Sequence, residues 1–392
     1  MENNLINREH NAILQTYKRL PITVDYAKGC YIYSQDGNKY LDFLAGIAVN
    51  ALGHSHPAII EAIKIQAEKY LHISNYFYQE PQIQLAERIK EFSGMDKVFF
   101  SNSGTEAADG AIKLARKWGF ENGKTNIYGF SGGFHGRTFG ALSVMDKPNY
   151  KINMGPYLDN CFVLPLNDIS ALENNIDEKT AGVFFEFIQG EGGIAEPAPE
   201  FLNKILELKE KFGFLLIADE VQAGIGRSGK YFAYQHHNII PDIAITAKGL
   251  GGGLPLGAIL TNAKLANVWE KGNHGTTYGG NALACSTGLV VMNELESGLL
   301  DNVVKVGNYF HQKLTEIMSK YLDKVLEVRG RGLMKGLLLS FDASILVEKL
   351  LNNFVIANAA SGTVLRLVPP LIVTQNEIDE FIEKLEICLK DC

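Results

Sequence analysis

In the segment ITAKGLGGGLPLGA (245–258), a single lysine, Lys248, follows an apolar run and precedes a group of glycines. A phosphate-binding loop has its glycines before the lysine, so the order found here disfavours that use. An ordinary lysine has a pKa of about 10.4 and is protonated at neutral pH, but burial beside apolar residues lowers this pKa. Lys248 is therefore suited to Schiff-base chemistry with a carbonyl group, and the glycines after it allow a flat ligand or another backbone to come close.

Two acids end the most apolar strand-like run of the chain, FLLIADE (214–220). An acid at the end of a buried strand, such as Asp219, can bind a metal ion, act as a base or hold a cationic heterocycle. The alternative is a solvated strand end. Two acids directly after Leu-Leu-Ile-Ala make that alternative the weaker interpretation.

Hydroxyl groups and a glycine open a predicted helix in SNSGTE (101–106). Backbone N–H groups at a helix N-terminus, together with hydroxyl groups, can bind an anion such as phosphate. A plain N-cap by Ser103 or Thr105 explains the same residues. On this motif alone the plain cap is favoured.

A loop bracketed by glycines presents an aromatic ring and an arginine, in FHGRT (134–138). Arg137 suits bidentate binding of a carboxylate or phosphate. His135 by itself is interpreted as a hydrogen-bonded structural histidine. His54 and His56 have no third ligand at a suitable spacing, so no metal site is predicted.

Alternating strands and helices must position these residues. The strand candidates are 97–104, 126–130, 161–166, 182–188, 214–219 and 242–247, and amphipathic helices are predicted at 105–119 and 202–213. The alternation predicts an α/β domain with a mainly parallel sheet covered on both faces. Ligands of such sheets bind at the carboxyl ends of the strands, where the residues above stand.

The two ends of the chain depart from this alternation. Residues 29–43 predict a β-hairpin around Asp36-Gly37. After residue 285, a long helical stretch precedes a hairpin-like segment at 326–341 and an apolar run at 364–373. We predict a large α/β domain (50–285), a small α+β domain (286–392), and an N-terminal segment (1–49) that packs with the small domain.

The composition narrows the class of partner and the location. A net charge of -7 over 392 residues disfavours nucleic acid as a partner, because phosphate backbones need a basic surface. The five cysteines are scattered and odd in number, which suits a reducing cytosol. The N-terminus lacks the features of a signal peptide, and no segment is typical of a membrane span. We expect a soluble, cytoplasmic protein.

Two segments partly match nucleotide-binding motifs. GFENGKT (119–125) is one residue short of a Walker A motif, and it follows a helix and precedes a strand, which is the reverse of the required order. GEGGIA (190–195) follows a strand, but no helix begins after it to bind a pyrophosphate. An ATPase remains a remote alternative.

Taken together and in this order, these segments resemble the class III aminotransferases, which are pyridoxal-phosphate enzymes of fold type I. The resemblance covers nearly the whole chain, and DGNKYLDFLAGIAVNALGHSHP (36–57) is most similar to the bacterial acetylornithine branch. It implies a large domain with a mostly parallel seven-stranded sheet, a smaller α+β domain, bound pyridoxal 5′-phosphate, and a homodimer with shared active sites.

The resemblance also implies roles around the cofactor. Lys248 would bind the cofactor aldehyde and later move the substrate proton, while Asp219 would pair with the pyridine nitrogen. Val221 and Phe134 would pack on the two ring faces, and Gln222 would reach the phenolic oxygen. The phosphate would be held by residues of the helix N-terminus and by a threonine of the neighbouring subunit, namely Ser103, Gly104, Thr105 and Thr277.

Substrate specificity would depend on two arginines and a gate. Arg366 would bind the α-carboxylate of glutamate, and Glu191 would pair with Arg366 when the other substrate is present. Arg137 would anchor the far carboxylate, and Glu186 would lie beside the substrate. Phe187 stands where the family usually has proline, which relaxes one backbone angle close to Glu186.

The implied reaction is a ping-pong transfer of the terminal amino group of N-acetyl-L-ornithine to 2-oxoglutarate, a step of arginine biosynthesis. Other donors stay open, namely ornithine, succinyl-diaminopimelate and 4-aminobutyrate, because the same arginines and glutamate suit them all. A non-catalytic protein that binds pyridoxal phosphate is a further alternative.

Overall fold

The structure, a computed structural model, describes residues 5–392. Its strands are β1 (Val24–Lys28), β2 (Tyr31–Ser34), β3 (Lys39–Asp42), β4 (Lys97–Ser101), β5 (Asn126–Phe130), β6 (Cys161–Leu164), β7 (Thr180–Phe185), β8 (Leu215–Asp219), β9 (Ile243–Thr246), β10 (Gly257–Thr261), β11 (Val325–Arg329), β12 (Lys335–Leu339), β13 (Val355–Ile356), β14 (Asn358–Ala360) and β15 (Val364–Leu367). Its helices are α1 (Leu5–Ala12), α2 (Ala45–Ala48), α3 (Pro57–Lys69), α4 (Glu80–Ser93), α5 (Gly104–Glu121), α6 (Phe139–Ser143), α7 (Ile169–Asn175), α8 (Pro199–Phe212), α9 (Ala282–Glu294), α10 (Leu300–Lys320), α11 (Ala343–Asn352) and α12 (Gln375–Lys390).

A seven-stranded sheet forms the centre of the fold, in the order β4-β10-β9-β8-β7-β5-β6. The pairs from β9 to β6 are parallel, whereas β10 pairs with both β4 and β9 in the antiparallel sense. The prediction of an α/β fold with a mostly parallel seven-stranded sheet is confirmed. The six predicted strands are all present, but β10 was not predicted, because its residues follow a Gly- and Pro-rich stretch that is typical of a loop.

Successive residues of the central strands point into two separate apolar clusters. Leu215 and Ile217 pack in one cluster with the alanines of α5, while Leu216 and Ala218 pack in the other. This alternation follows from the two-residue period of a strand. The sheet is therefore covered on both faces, as predicted.

Two smaller sheets lie outside the central one. The predicted hairpin of β2 and β3 is present, and β3 also pairs in parallel with β13, joining Leu41 to Val355. The second small sheet has the order β11-β12-β15-β14 and contains the predicted hairpin of β11 and β12. The domain boundaries at 49/50 and 285/286 remain a prediction. Helix α9, which crosses the second boundary, packs against α3 and α4.

No helix within residues 5–392 has both the length and the apolar character needed to cross a membrane.

The close contact between β5 and the end of α6 has a testable consequence. A Cβ at Gly129 would lie 2.2 Å from the backbone oxygen of Val144, so the strand has no room for a side chain there. We expect Gly129→Ala to destabilise the protein by about 1–3 kcal/mol, the usual cost of overpacking, seen as a lower Tm in thermal denaturation. Gly275→Ala is the matched control, because a Cβ there meets nothing within 4 Å. Equal Tm values for the two variants would contradict the packing.

Candidate active site

A cavity of about 430 Å³ opens where several strands of the central sheet end. Loops that follow β4, β5, β7, β8 and β9 form its walls, because the carboxyl ends of parallel strands meet at one edge of a sheet. Most of the residues singled out from the sequence line it together: Ser103, Gly104, Thr105, Phe134, Arg137, Glu186, Asp219, Val221, Gln222 and Lys248.

Lys248 lies two residues after the end of β9 and has a φ of 44°, in the left-handed region that lysine seldom adopts. Burial lowers the pKa of its amine to about 8, and the positive charge of Arg366 lowers it in the same direction. The carboxylates of Asp219 and Glu191 act against these effects. Within residues 5–392, its Nζ has no hydrogen bond and no ion pair. Lys248 is therefore a half-buried amine in the cavity that is partly neutral near neutral pH.

Asp219 is the acid that faces the cavity. One carboxylate oxygen accepts the backbone N–H of Val221 at 2.9 Å, and the other lies 2.7 Å from Nδ1 of His135. The neighbouring Glu220 instead accepts the backbone N–H groups of Ala233 and Tyr234, and burial raises its pKa to about 8. The two adjacent acids thus have different roles. Asp219 lines the cavity and can contact a ligand, whereas Glu220 fixes the loop that contains Ala233 and Tyr234.

His135 is hydrogen-bonded, but its partner could not be predicted from the sequence. It is 4% exposed and lies against Asp219, which is 84 positions away in the chain. No local motif signals this contact. The histidine belongs to the site because it orients the acid.

The N-terminus of α5 forms one wall of the cavity. The Ser103 hydroxyl accepts the backbone N–H of Glu106, so the plain cap favoured by the motif alone is present. Thr105 Oγ1 accepts the backbone N–H groups of Arg137 and Thr138. The backbone N–H groups of Gly104 and Thr105 have no acceptor among the described residues. These free donors at a helix N-terminus can hold an anion.

Glu186 connects the loop after β7 to the loop after β5. It accepts the backbone N–H of Phe134 at 2.9 Å and that of Gly190 at 3.2 Å, and burial raises its pKa to about 7. Phe187, at the position of the family proline, is fully buried and lies edge-on to Phe185.

Glu191 and Arg366 form an ion pair that does not line this cavity but adjoins it through Gln222. Arg366 is 1% exposed, and it also donates to Asn358 Oδ1 at 3.1 Å and to Gln222 Oε1 at 3.3 Å. Burial by itself raises the pKa of Glu191, but the charge and hydrogen bond of Arg366, together with the charges of Lys248 and Lys147, lower this pKa overall. Glu191 is therefore ionised at neutral pH.

Arg137 lies at the exposed mouth of the cavity. Its guanidinium is 3.5 Å from the ring centre of Tyr150, and the same ring meets Phe134 edge-on at 6.0 Å. Sequence reasoning missed Tyr150. Thr277 does not line this cavity, since it is exposed and lines a different groove with Asn75.

The donor set fits pyridoxal phosphate. The cavity holds an amine without a partner for an aldehyde, a carboxylate for a protonated pyridine nitrogen, and free backbone N–H groups for a phosphate. No group of three or more His, Cys, Asp or Glu side chains in residues 5–392 is placed to hold a metal ion.

Known proteins resemble this chain over nearly its full length. The family described as "Aminotransferase class-III" matches residues 13–389. The acetylornithine aminotransferase of Caldanaerobacter subterraneus subsp. tengcongensis is 46% identical over 392 residues, covering 99% of each chain. That of Methanocaldococcus jannaschii is 44% identical over 391 residues, covering 98% of each chain.

Solved structures agree with these matches. The ornithine aminotransferase of Toxoplasma gondii has a TM-score of 0.94 at 30% identity, covering 100% of this chain and 95% of its own. The acetylornithine aminotransferase of Elizabethkingia anophelis has a TM-score of 0.88 at 34% identity, covering 99% of this chain and 98% of its own. The family match and the identities to full-length relatives show that this chain belongs to the class III aminotransferases, which depend on pyridoxal phosphate.

Proposed function

We propose that this enzyme is an N-acetyl-L-ornithine:2-oxoglutarate aminotransferase that gives N-acetylglutamate semialdehyde and glutamate in a ping-pong reaction of arginine biosynthesis. The observation that carries the aminotransferase chemistry is the half-buried amine of Lys248, which has no partner within residues 5–392, in one cavity with Asp219. The choice of acetylornithine rests on the acetylornithine aminotransferases that are 44–46% identical over 98–99% of both chains.

We assign Lys248 to attachment of the cofactor and to proton transfer. When bound, pyridoxal phosphate supplies an aldehyde for an amine and an electron sink for a carbanion. The lowered pKa of Lys248 leaves part of its amine neutral, so that Nζ can attack a carbonyl. The same amine would also remove and return the substrate proton, since it lines the cavity in which the substrate would bind.

We assign the cavity walls to holding the cofactor. Asp219, oriented by His135, is the partner for a protonated ring nitrogen, and its buried setting strengthens that ion pair. Val221 and Phe134 are proposed to pack on the two ring faces, and Gln222 to reach the phenolic oxygen. The anion site at the start of α5 is proposed for the phosphate, with Ser103, Gly104 and Thr105 around it.

We assign the two arginines to the two substrates. N-acetylornithine places its α-carboxylate on Arg137, while Glu191 neutralises Arg366. Glutamate reacts through its α-amine and needs Arg366 for its α-carboxylate, so Glu191 has to leave and Arg137 takes the γ-carboxylate. Glu186 is proposed to line the space between these anchors.

We further propose a homodimer in which Thr277 of one subunit reaches the phosphate of the other. The exposed position of Thr277 outside the Lys248 cavity supports this assignment. Nearby aromatic side chains, Tyr76 at 94% and Tyr78 at 98% exposure, offer an apolar surface to a second copy. We also propose a cytoplasmic location, because all five cysteines are free thiols.

The alternative functions differ in which residues of the site they would require. Ornithine aminotransferases share the fold closely, with a TM-score of 0.94 at 30% identity, so overall shape does not separate the two donors. Succinyl-diaminopimelate or 4-aminobutyrate would use the same Arg137, Glu191 and Arg366. An ATPase or a non-catalytic binding protein would need none of these three.

Loss of the Lys248 amine should abolish covalent attachment of the cofactor. We expect Lys248→Ala to show no borohydride-stable adduct on the peptide containing residue 248, and to lose more than about 100-fold in turnover. Peptide mass spectrometry and steady-state assays measure the two effects. Lys271→Ala, at an exposed lysine, is the control and should behave as wild type. A Lys248→Ala enzyme that keeps its turnover would overturn the assignment.

A panel of amino donors with 2-oxoglutarate tests the substrate. We expect kcat/KM for N-acetylornithine to exceed those for ornithine and 4-aminobutyrate by about tenfold or more. We expect the lower value for ornithine because its α-amino group is charged. This ammonium would lose its hydration next to the positively charged Arg137 guanidinium. A preference for unacetylated ornithine would instead assign the enzyme to the ornithine branch.

The Glu191 gate makes a prediction about the two half-reactions. With Glu191→Ala, Arg366 has lost its ion-pair partner, and we expect the half-reaction with N-acetylornithine to slow about tenfold more than that with glutamate, a difference of about 1.4 kcal/mol. Single-turnover kinetics measure each half-reaction. Glu327→Ala is the control, because it removes an exposed Glu–Arg ion pair outside the cavity. Equal losses in both half-reactions would contradict the proposed role of Glu191 as a gate.

A further inference from the structure

A separate cavity, of about 470 Å³, lies between α10, the segment after β8 and the turn that joins β11 to β12. It shares no lining residue with the Lys248 cavity. Nothing in the proposed aminotransferase function uses it. We call it the Lys335 cavity.

Positive charge dominates the walls of this cavity. Lys230, Arg331 and Lys335 line it, and none of the described residues that line it is acidic. His236 and His311 also line it, but burial lowers the pKa of both, that of His236 to about 4, so they carry no charge at neutral pH. Arg331 forms an ion pair with Glu196, which lies outside the lining, whereas Lys230 and Lys335 form no ion pair within residues 5–392. The cavity therefore presents an excess of cations.

Lys335 is the unusual member of this group. It is 3% exposed, and its Nζ donates to the backbone oxygen of Gly330 at 3.0 Å. Burial lowers the pKa of Lys335 to about 8, because a buried ammonium lacks the hydration that it has in water. An ammonium carries three donors, so two remain for another acceptor.

A second buried group lacks a partner at the same place. Ser228 lines the cavity, and its hydroxyl is buried with no hydrogen-bond partner. Buried polar groups are normally hydrogen-bonded. The hydroxyl and the ammonium are both donors, and the group that would satisfy donors beside several cations is an oxyanion.

We infer that the Lys335 cavity is a second ligand site, which binds the carboxylate or phosphate group of a small metabolite between Lys335, Lys230 and Ser228. Lys335 is the central contact, because it is buried and forms no ion pair within residues 5–392; the Glu196 carboxylate acts on it only at longer range and is itself paired with Arg331. Lys230, which is exposed, adds long-range attraction. This inference does not depend on the substrate proposed for the Lys248 cavity.

Titration calorimetry of the holoenzyme at constant ionic strength tests this inference. Inorganic phosphate and acetate are titrated separately, which distinguishes a phosphate group from a carboxylate as the preferred ligand. We expect saturable binding of at least one anion, weakened about tenfold or more by Lys335→Met and less strongly by Lys230→Met.

Three controls make the result decisive. Lys305→Met removes an exposed charge from the same helix, α10, outside the cavity lining, and should bind as wild type. Arg137→Gln reports any anion that binds in the Lys248 cavity instead, and it should not change the affinity. A thermal melt checks that Lys335→Met folds, and Lys230→Met serves if it does not. No saturable binding to wild type, unchanged affinity in both lysine variants, or a loss confined to Arg137→Gln would each overturn the inference.

Discussion

The removal from water of several charges in and beside one cavity is the constraint on which the rest of this structure depends. Removing a charged group from water is costly unless a partner of opposite charge or several hydrogen bonds replace the water. Asp219 is hydrogen-bonded to His135, and Glu186 accepts two backbone N–H groups. Arg366 forms an ion pair with Glu191. Lys248 alone among these groups has neither a hydrogen bond nor an ion pair within the described part of the chain. The cavity thus keeps its amine reactive while its other charges are held in place.

This charge balance requires distant parts of the chain to pack together. Arg366 comes from β15 in a small sheet, and its partner Glu191 follows β7 of the central sheet, 175 positions earlier. The segment after β7 packs on the small sheet at Ile194, where a Cβ on Gly336 of β12 would lie 3.0 Å from the Ile194 side chain. Packing of the C-terminal sheet against this segment is therefore a requirement of the site. Strand β12 begins at Lys335, which lines the Lys335 cavity, and it pairs with β15, the strand that carries Arg366.

Much of the fold could be predicted because its signals are local. The apolar runs that became β5, β7, β8 and β9 alternate with amphipathic helices, and each pattern needs only neighbouring residues to be recognised. The strands that were missed are short or follow glycine and proline, as β10 does, and they are strands because a neighbouring strand pairs with them. The pairing of β3 with β13 joins residues more than 300 positions apart and has no local signal.

Residue types and their order in the chain by themselves determined the class of chemistry: an amine after an apolar strand, an acid after another, and hydroxyl groups at the start of a helix. Only the tertiary structure decided which acid faces the cavity, that His135 orients it, and that Tyr150 lies under Arg137. The physical reason is the distance along the chain over which each interaction acts. Backbone periodicity and capping act over a few residues, whereas the pKa of Lys248 and the partner of Arg366 depend on groups that come together only when the sheets pack.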